Sequence, residues 1–280
     1  MAATRLIRKD VEKVWGRRDL PDMFGGGYRG AEPLGEIWFE HPDGRDVELL
    51  VKYLFTSQRL SIQVHPDDAA ARAAGHRRGK DEAWIVLSAD PGAEIGLGLT
   101  RAVAKEELAQ AARDGSIETL VDWRPAAAGD VLYSPAGTVH ALGPGLVLIE
   151  IQQNADLTYR LYDYGRPREL HRDEGVRVAN AAPHVSGVRG YARSDGREVL
   201  AEGRCFVLER LRNALVGELR PAEDQPVWLV PVRGRGRVAG RPLEPGDVWL
   251  VDSVAALSLE EGAELLVAYP GASAAEALIG

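Results

Sequence analysis

Apolar and polar positions alternate or cluster over short runs through most of this chain, and such runs predict strands. LLVKYLF (49–55) is almost wholly apolar and reads as a buried strand, with LSIQVH (60–65) as the next. AWIVLSA (83–89) ends at the turn residues ADPG, and VLYSPAG (131–137) runs into a Pro–Gly turn. LVLIEIQQ (146–153) has few charges and reads as buried, and the Tyr-rich TYRLYDYGR (158–166) follows it. Residues 1–60 otherwise mix short apolar runs with Gly-rich turns. Helical spacing is confined to three places. PDDAAARAA (66–74) has Pro66 near its first position and acids in its first turn. AVAKEELAQAAR (102–113) follows Thr100 as a cap and stops before Asp114–Gly115. SIETLVDW (116–123) reads as a continuation of that helix.

The pattern then changes. Residues 167–198 are polar and turn-rich, and residues 199–280 return to β patterning in CFVLERL, VWLVPV, DVWLVD and ELLVAY. This predicts a mostly β protein with a larger module at 1–178, a connector at 179–198 and a smaller module at 199–280. AAGDVLYSPAGTVHAL (127–142) is echoed by EPGDVWLVDSVAALSL (244–259), without the histidine. A duplicated unit with one degenerate copy accounts for the echo, and so does the frequency of Pro-Gly-Asp turns before strands.

Composition narrows the picture. The 280 residues carry 31 Gly and 16 Pro, in keeping with many turns. A net charge of −8 excludes a chain that depends on nonspecific nucleic-acid or anionic-membrane binding, although a local basic pocket remains compatible. The single cysteine, Cys205, has no internal partner, which fits a reducing compartment. The first twenty residues hold no apolar core of signal-peptide length, and no run approaches the roughly 18 apolar residues of a membrane span. A soluble cytoplasmic protein is the expectation; nothing in the pattern speaks to oligomeric state.

The chemistry concentrates around two of the six histidines, His65 and His140. Gln63 and His65 are two apart in a strand-like run and so share a face. Glu82 opens the next strand, and His140 ends GDVLYSPAGTVH. Two imidazoles, a carboxylate and an amide from separate strands make a first shell for a divalent metal. One carboxylate leaves such a centre net positive, able to polarise a carbonyl or hydroxyl oxygen. A lone strand histidine is more often structural; it is the set that points to a metal. Only five lysines occur, against 29 arginines, yet Lys52 sits in an apolar strand and Lys80 beside Glu82. Lysine loses its proton when desolvated or near a cation, whereas arginine effectively does not. Lys52 and Lys80 also read as a snorkelling and an ordinary loop lysine, and Asp156 with Arg160, four apart, also as a surface ion pair. Trp15, Trp38 and Trp84 are candidates for a pocket wall as well as for the core.

GDVLYSPAGTVH matches the cupin motif G-x5-P-x-G-x-x-H at Gly129, Pro135, Gly137 and His140. LSIQVHPDD (60–68), GKDEAWIVL (79–87) and PAGTVHALGPGLVLIEIQQNADLTYRLYDYGR (135–166) resemble signatures of the class I mannose-6-phosphate isomerases. VEKVWG (11–16) and GEIWFE (35–40) are similar to N-terminal elements of the same family. The resemblance covers roughly residues 10–170. It implies two cupin-type β-barrel modules and one zinc ion, or another divalent metal, held by Gln63, His65, Glu82 and His140. It also implies catalytic positions at Lys52, Lys80, Asp156 and Arg160. Three departures stand out: no long helical insertion between the Glu82 and His140 segments, Asn154–Ala155 where a Ser pair is common, and a short C-terminal module.

The activity implied is interconversion of the phosphorylated hexoses D-mannose 6-phosphate and D-fructose 6-phosphate through an enediol. Lys80 is the first candidate for the base, Arg160 for the enediolate oxygens or the phosphate, Lys52 for a second phosphate cation, and Trp15 for substrate contact. Asp156, with His65 or a water, is the candidate for assisting ring opening. The second module, with no histidine in 199–280, is expected to bind no metal. Competing readings are a non-enzymatic or regulatory metal-binding bicupin, a cupin acting on another sugar phosphate, and an Fe(II) oxygenase, the last opposed by Gln63 as a fourth ligand.

Overall fold

The two most apolar runs form the spine of the molecule. Leu49–Phe55 and Leu146–Gln153 are buried at every position and pair antiparallel from Gln153↔Leu49 to Val147↔Phe55. In the computed structural model, which describes residues 2–185, 190–193 and 196–280, these strands lie at the centre of a six-stranded sheet. Its order is Ile7–Arg17, Leu34–Glu40, Leu49–Phe55, Leu146–Gln153, Glu82–Ala89, Val131–Ser134. A five-stranded sheet faces it, in the order Tyr159–Tyr162, Ile62–Val64, His140–Leu142, Glu94–Leu99, Val121–Pro125. This is the predicted mostly β, cupin-type arrangement.

The second module repeats the order. Its larger sheet runs Tyr191–Ala192, Glu198–Glu202, Phe206–Arg212, Glu264–Pro270, Val227–Arg233, Trp249–Val251. Its smaller sheet runs Leu215–Leu219, Ala255–Leu259, Gly236–Val238, Arg241–Leu243. The echoed segments occupy matching places. Val131–Ser134 and Trp249–Val251 each come last of their own module's strands in a larger sheet, and His140–Leu142 and Ala255–Leu259 each continue into a smaller one. The echo is therefore structural, not a coincidence of turn chemistry.

The larger sheets pack against each other. Tyr53, Phe55 and Ile149 of one share a buried core with Phe206, Trp228 and Leu266 of the other. Fully burying one such side chain is worth about 1.5–3 kcal/mol, so the contact binds the modules firmly. One strand crosses the expected division at 178: Ala3–Arg5 pairs with Trp249–Val251 and extends the second module's sheet.

Elsewhere the structure corrects the sequence reading. The helix expected over 116–123 stops after Ile117–Leu120, and Val121–Pro125 is a strand paired with Glu94–Leu99. The β-branched Val121 and the flat face of Trp123 suit the sheet, against which Gly96 leaves room: a Cβ on Gly96 would stand 2.5 Å from Val121 Cγ1. Glu94–Leu99 itself carries two glycines, which dilute its strand signal. The turn-rich stretch contains a helix, Arg172–Val178, on the strand that carries Arg160. Its Gly175 comes close enough to Leu161 that a Cβ would lie 2.6 Å from Leu161 Cδ2. Residues 186–189 and 194–195 of the expected connector lie outside the described residues.

Candidate metal centre and its cavity

The inner face of the six-stranded sheet sets the floor of the site. Period two along Ile7–Arg17 places Lys9, Val11, Lys13 and Trp15 on one face, and all four line a cavity of about 410 Å³. Register then carries one row across the sheet: Lys9 opposite Trp38, Trp38 opposite Lys52, Lys52 opposite Glu150, Glu150 opposite Trp84. The row is chemically linked. Lys52 Nζ lies 4.7 Å from the centre of the Trp38 ring and 3.2 Å from Glu150 Oε1, while Trp84 donates Nε1–H to Glu150 Oε2 at 3.0 Å. The five-stranded sheet supplies the opposite wall, with Gln63, His140 and Arg160.

At the deep end His65, Glu82 and His140 converge, each about 1% exposed, with one ligand atom from each within 4.8 Å of the others. His65 Nδ1 is 2.8 Å from Leu157 O and His140 Nδ1 is 2.9 Å from Thr138 O. A carbonyl only accepts, so both Nδ1 atoms carry the hydrogen and both Nε2 lone pairs point inward, as metal-ligating imidazoles require. Glu82 Oε1 lies 3.0 Å from His140 Nε2 and 3.4 Å from His65 Nε2, and this buried oxygen has no hydrogen-bond donor among the described residues. Inward-facing acceptors around an orphaned carboxylate oxygen fit a divalent cation. Gln63 Nε2 sits 3.3 Å from His140 Nε2, and Ser61 Oγ donates to Gln63 Oε1 at 3.0 Å. Turning this amide over would aim its carbonyl at the cluster and leave Nε2 facing the hydroxyl.

Lys80 donates to Glu82 Oε2 at 2.7 Å and lies 3.2 Å from His65 Nε2. Burial lowers its pKa, but the carboxylates of Glu82 and Glu150 outweigh burial and raise it above the ordinary lysine value. That is opposite to the sense expected of a proton-accepting lysine. Burial likewise opposes ionisation of Glu82, and Lys80 with the two histidines overcomes it, holding the carboxyl well below the usual range. His65 is pushed down to about 4, first by burial and then by the Lys80 charge.

Every catalytic and substrate position inferred from sequence, namely Trp15, Lys52, Lys80, Asp156 and Arg160, lines the cavity. Arg160 has no side-chain hydrogen bond or ion pair among the described residues, whereas Arg168 is held by the buried Asp163 at 2.6 Å. Lys9, Lys13, Glu36, Glu150 and Arg168 also line the cavity, although the sequence reading did not select them. The scarcity of lysine was a usable signal, because four of the five face this one space. Six cationic side chains there meet four carboxylates, a local positive excess inside a chain of net charge −8.

The sheets and the His–His–Glu cluster together define a cupin-type β protein with a candidate metal site in one of its two modules. A scan against protein-family models finds no match. The chain is 37% identical over 232 residues to the mannose-6-phosphate isomerase of Streptococcus mutans, spanning 76% of this chain and 71% of that protein. It is 32% identical over 265 residues to mannose-6-phosphate isomerase ManA of Bacillus subtilis, spanning 87% and 83%. The crystal structure of a Bacillus subtilis mannose 6-phosphate isomerase superposes with a TM-score of 0.81 at 29% identity, covering 96% of this chain and 99% of that one. The chain belongs to the mannose-6-phosphate isomerase family and is an isomerase.

Proposed function

We propose that the chain interconverts D-mannose 6-phosphate and D-fructose 6-phosphate with one divalent metal, zinc being the first candidate, held by Gln63, His65, Glu82 and His140. The observation that carries this is the meeting of the His65–Glu82–His140 donor set, of which Glu82 and His140 line the cavity, with a positive excess in that cavity suited to a phosphorylated sugar. When bound, the cation supplies Lewis-acid charge for the sugar oxygens and offsets the Glu82 charge that holds the Lys80 proton.

Lys80 Nζ, buried at the metal end, moves the proton between C1 and C2 of the open-chain sugar. Asp156, exposed at the cavity wall, assists ring opening. The guanidinium of Arg160, without a side-chain partner among the described residues, binds anionic oxygens of the substrate in its planar fork. Lys52, fixed by Glu150 and Trp38, adds a second positive charge, and Trp15 covers an apolar face of the sugar. The test is to incubate the protein with mannose 6-phosphate and assay for fructose 6-phosphate. Product is expected, it should disappear after chelation, and it should return with zinc. A metal-loaded protein that forms no product would sink this reading.

A further inference from the structure

Lys80 and Glu82 line the cavity, whereas Asp81, the residue between them just before the strand Glu82–Ala89, does not line it and is 1% exposed. Both its oxygens are used. Oδ1 accepts from Ala136 N at 2.8 Å and from Arg204 Nη2 at 2.9 Å, and Oδ2 accepts from Tyr133 Oη at 2.5 Å. These contacts join the segments that bear the candidate ligands. Ala136 lies in the turn leading to His140, and the next residue in that turn, Gly137, donates its N–H to His65 O at 2.8 Å. Asp81 thus ties the start of the Glu82 strand to a loop already tied to both histidines.

Arg204 comes from the second module, in the turn between Glu198–Glu202 and Phe206–Arg212. That turn is wedged against the first module: a Cβ on Gly203 would lie 2.0 Å from Tyr133 Oη, and the Tyr133 and Phe206 rings are 5.5 Å apart. Arg204 supplies the only positive charge in contact with Asp81 among the described residues. Its own side chain is 57% exposed, so the contact is one-sided: the carboxylate needs the arginine more than the arginine needs the carboxylate.

We infer that Arg204 is a positioning residue, by which the second module holds Asp81 and so sets the geometry of Glu82, Lys80 and the His140 turn around the metal. This rests on the metal reading above and assigns the second module a part in the site. Groups that hydrogen-bond metal ligands directly contribute about 10–100-fold in metal affinity or activity; Arg204 acts one step further out, through Asp81, so the lower end of that range is expected.

The experiment is a competition between the protein and a chromophoric zinc chelator, run on wild type, Arg204→Met, Arg204→Lys, Asp81→Asn and the double variant Asp81→Asn/Arg204→Met, with steady-state kinetics beside it. Arg204→Met should weaken zinc retention about tenfold and lower kcat with KM changed less than twofold, and Arg204→Lys should recover most of both. Adding Arg204→Met to Asp81→Asn should cost little more, because the two act as a pair. Zinc retention within twofold of wild type in Arg204→Met, with only the melting temperature lowered, overturns the proposal, since that is what a purely structural contact does. If Asp81→Asn fails to fold, the Met and Lys variants at the half-exposed position 204 still decide. A wild type that holds zinc but does not isomerise refutes the functional reading alone, and the chelator arm still judges Arg204. A wild type that binds no divalent metal refutes both.

Discussion

The two modules share a strand order and have opposite interiors. In the first, Ser134 pairs with Glu82; in the echoed segment of the second, Val251 stands in the place of Ser134 and pairs with Val227. His140 has its counterpart in Leu257, 1% exposed and packed among Leu219, Leu229 and Trp249. A carboxylate and an imidazole in one barrel are thus a valine and a leucine in the other. The backbone tolerates either filling, and the chemistry resides in a few inward positions grafted on a common frame. What separates the interiors is the company those positions keep: Leu157 O and Thr138 O to orient imidazoles, and Lys80 to balance a carboxylate.

The sharpest way to break the contrast is to give the first module the residue of the second. His140→Leu should lose metal and lower activity by about 10³-fold or more, because a Lewis-acid contribution of several kcal/mol goes with the ligand. The barrel should survive, since the site lies beside a separate apolar core; metal analysis, kinetics and a thermal melt on one sample check all three. Next comes Lys80→Arg, which keeps the charge but not the ability to titrate. It should cost about 10²–10⁴ in kcat with metal content unchanged. Turnover within threefold of wild type would move the base to Asp156.

The reverse exchange tests the second interior. Val227→Glu buries a carboxylate among apolar neighbours with no lysine beside it, and should destabilise by about 3–5 kcal/mol while creating no second metal site. A denaturant melt with metal titration reads both effects. The smallest effect is in pH. His65, held down to about 4, stays neutral in the fold, whereas in the unfolded chain it takes a proton near 6.5. The unfolded state therefore binds more protons across this window, and stability falls as pH drops from about 6.5 to about 4, by roughly 3 kcal/mol. None of this comes from histidines of the second module, which has none. Melts of chelator-treated protein should show the slope, and His65→Gln should flatten it.

The His65–Glu82–His140 cluster was legible because its members fall at or beside short strands next to turns. Lys52 and Lys80 stood out by their rarity against arginine. Lys9 and Lys13 escaped because Ile7–Arg17 is an outer strand whose mostly polar, exposed pattern hides its inward face. Glu150 escaped for the opposite reason, as the lone acid in an apolar run whose partners, Lys52 and Trp84, are close only through pairing. The helix Arg172–Val178 contains a glycine and few apolar residues, and its end is held by Lys105, whose ammonium reaches the carbonyls of Val176, Arg177 and Ala179. Local propensity does not reveal such a helix; contacts made across the chain do.

Because Ala3–Arg5 is hydrogen-bonded to Trp249–Val251, the chain is buckled like a belt, its first strand fastened beside one of its last. A ribosome must deliver all of residues 6–248 before that buckle can close. Until then the Trp249–Val251 side of the sheet would present unpaired N–H and C=O groups, the kind of open edge that recruits other chains. Pairing across so long a separation is also slow to form. A peptide placed just before Ala3–Arg5 would therefore sit beside this sheet, where it competes for the edge, and a short spacer there bears on the yield of folded protein more than on its catalysis.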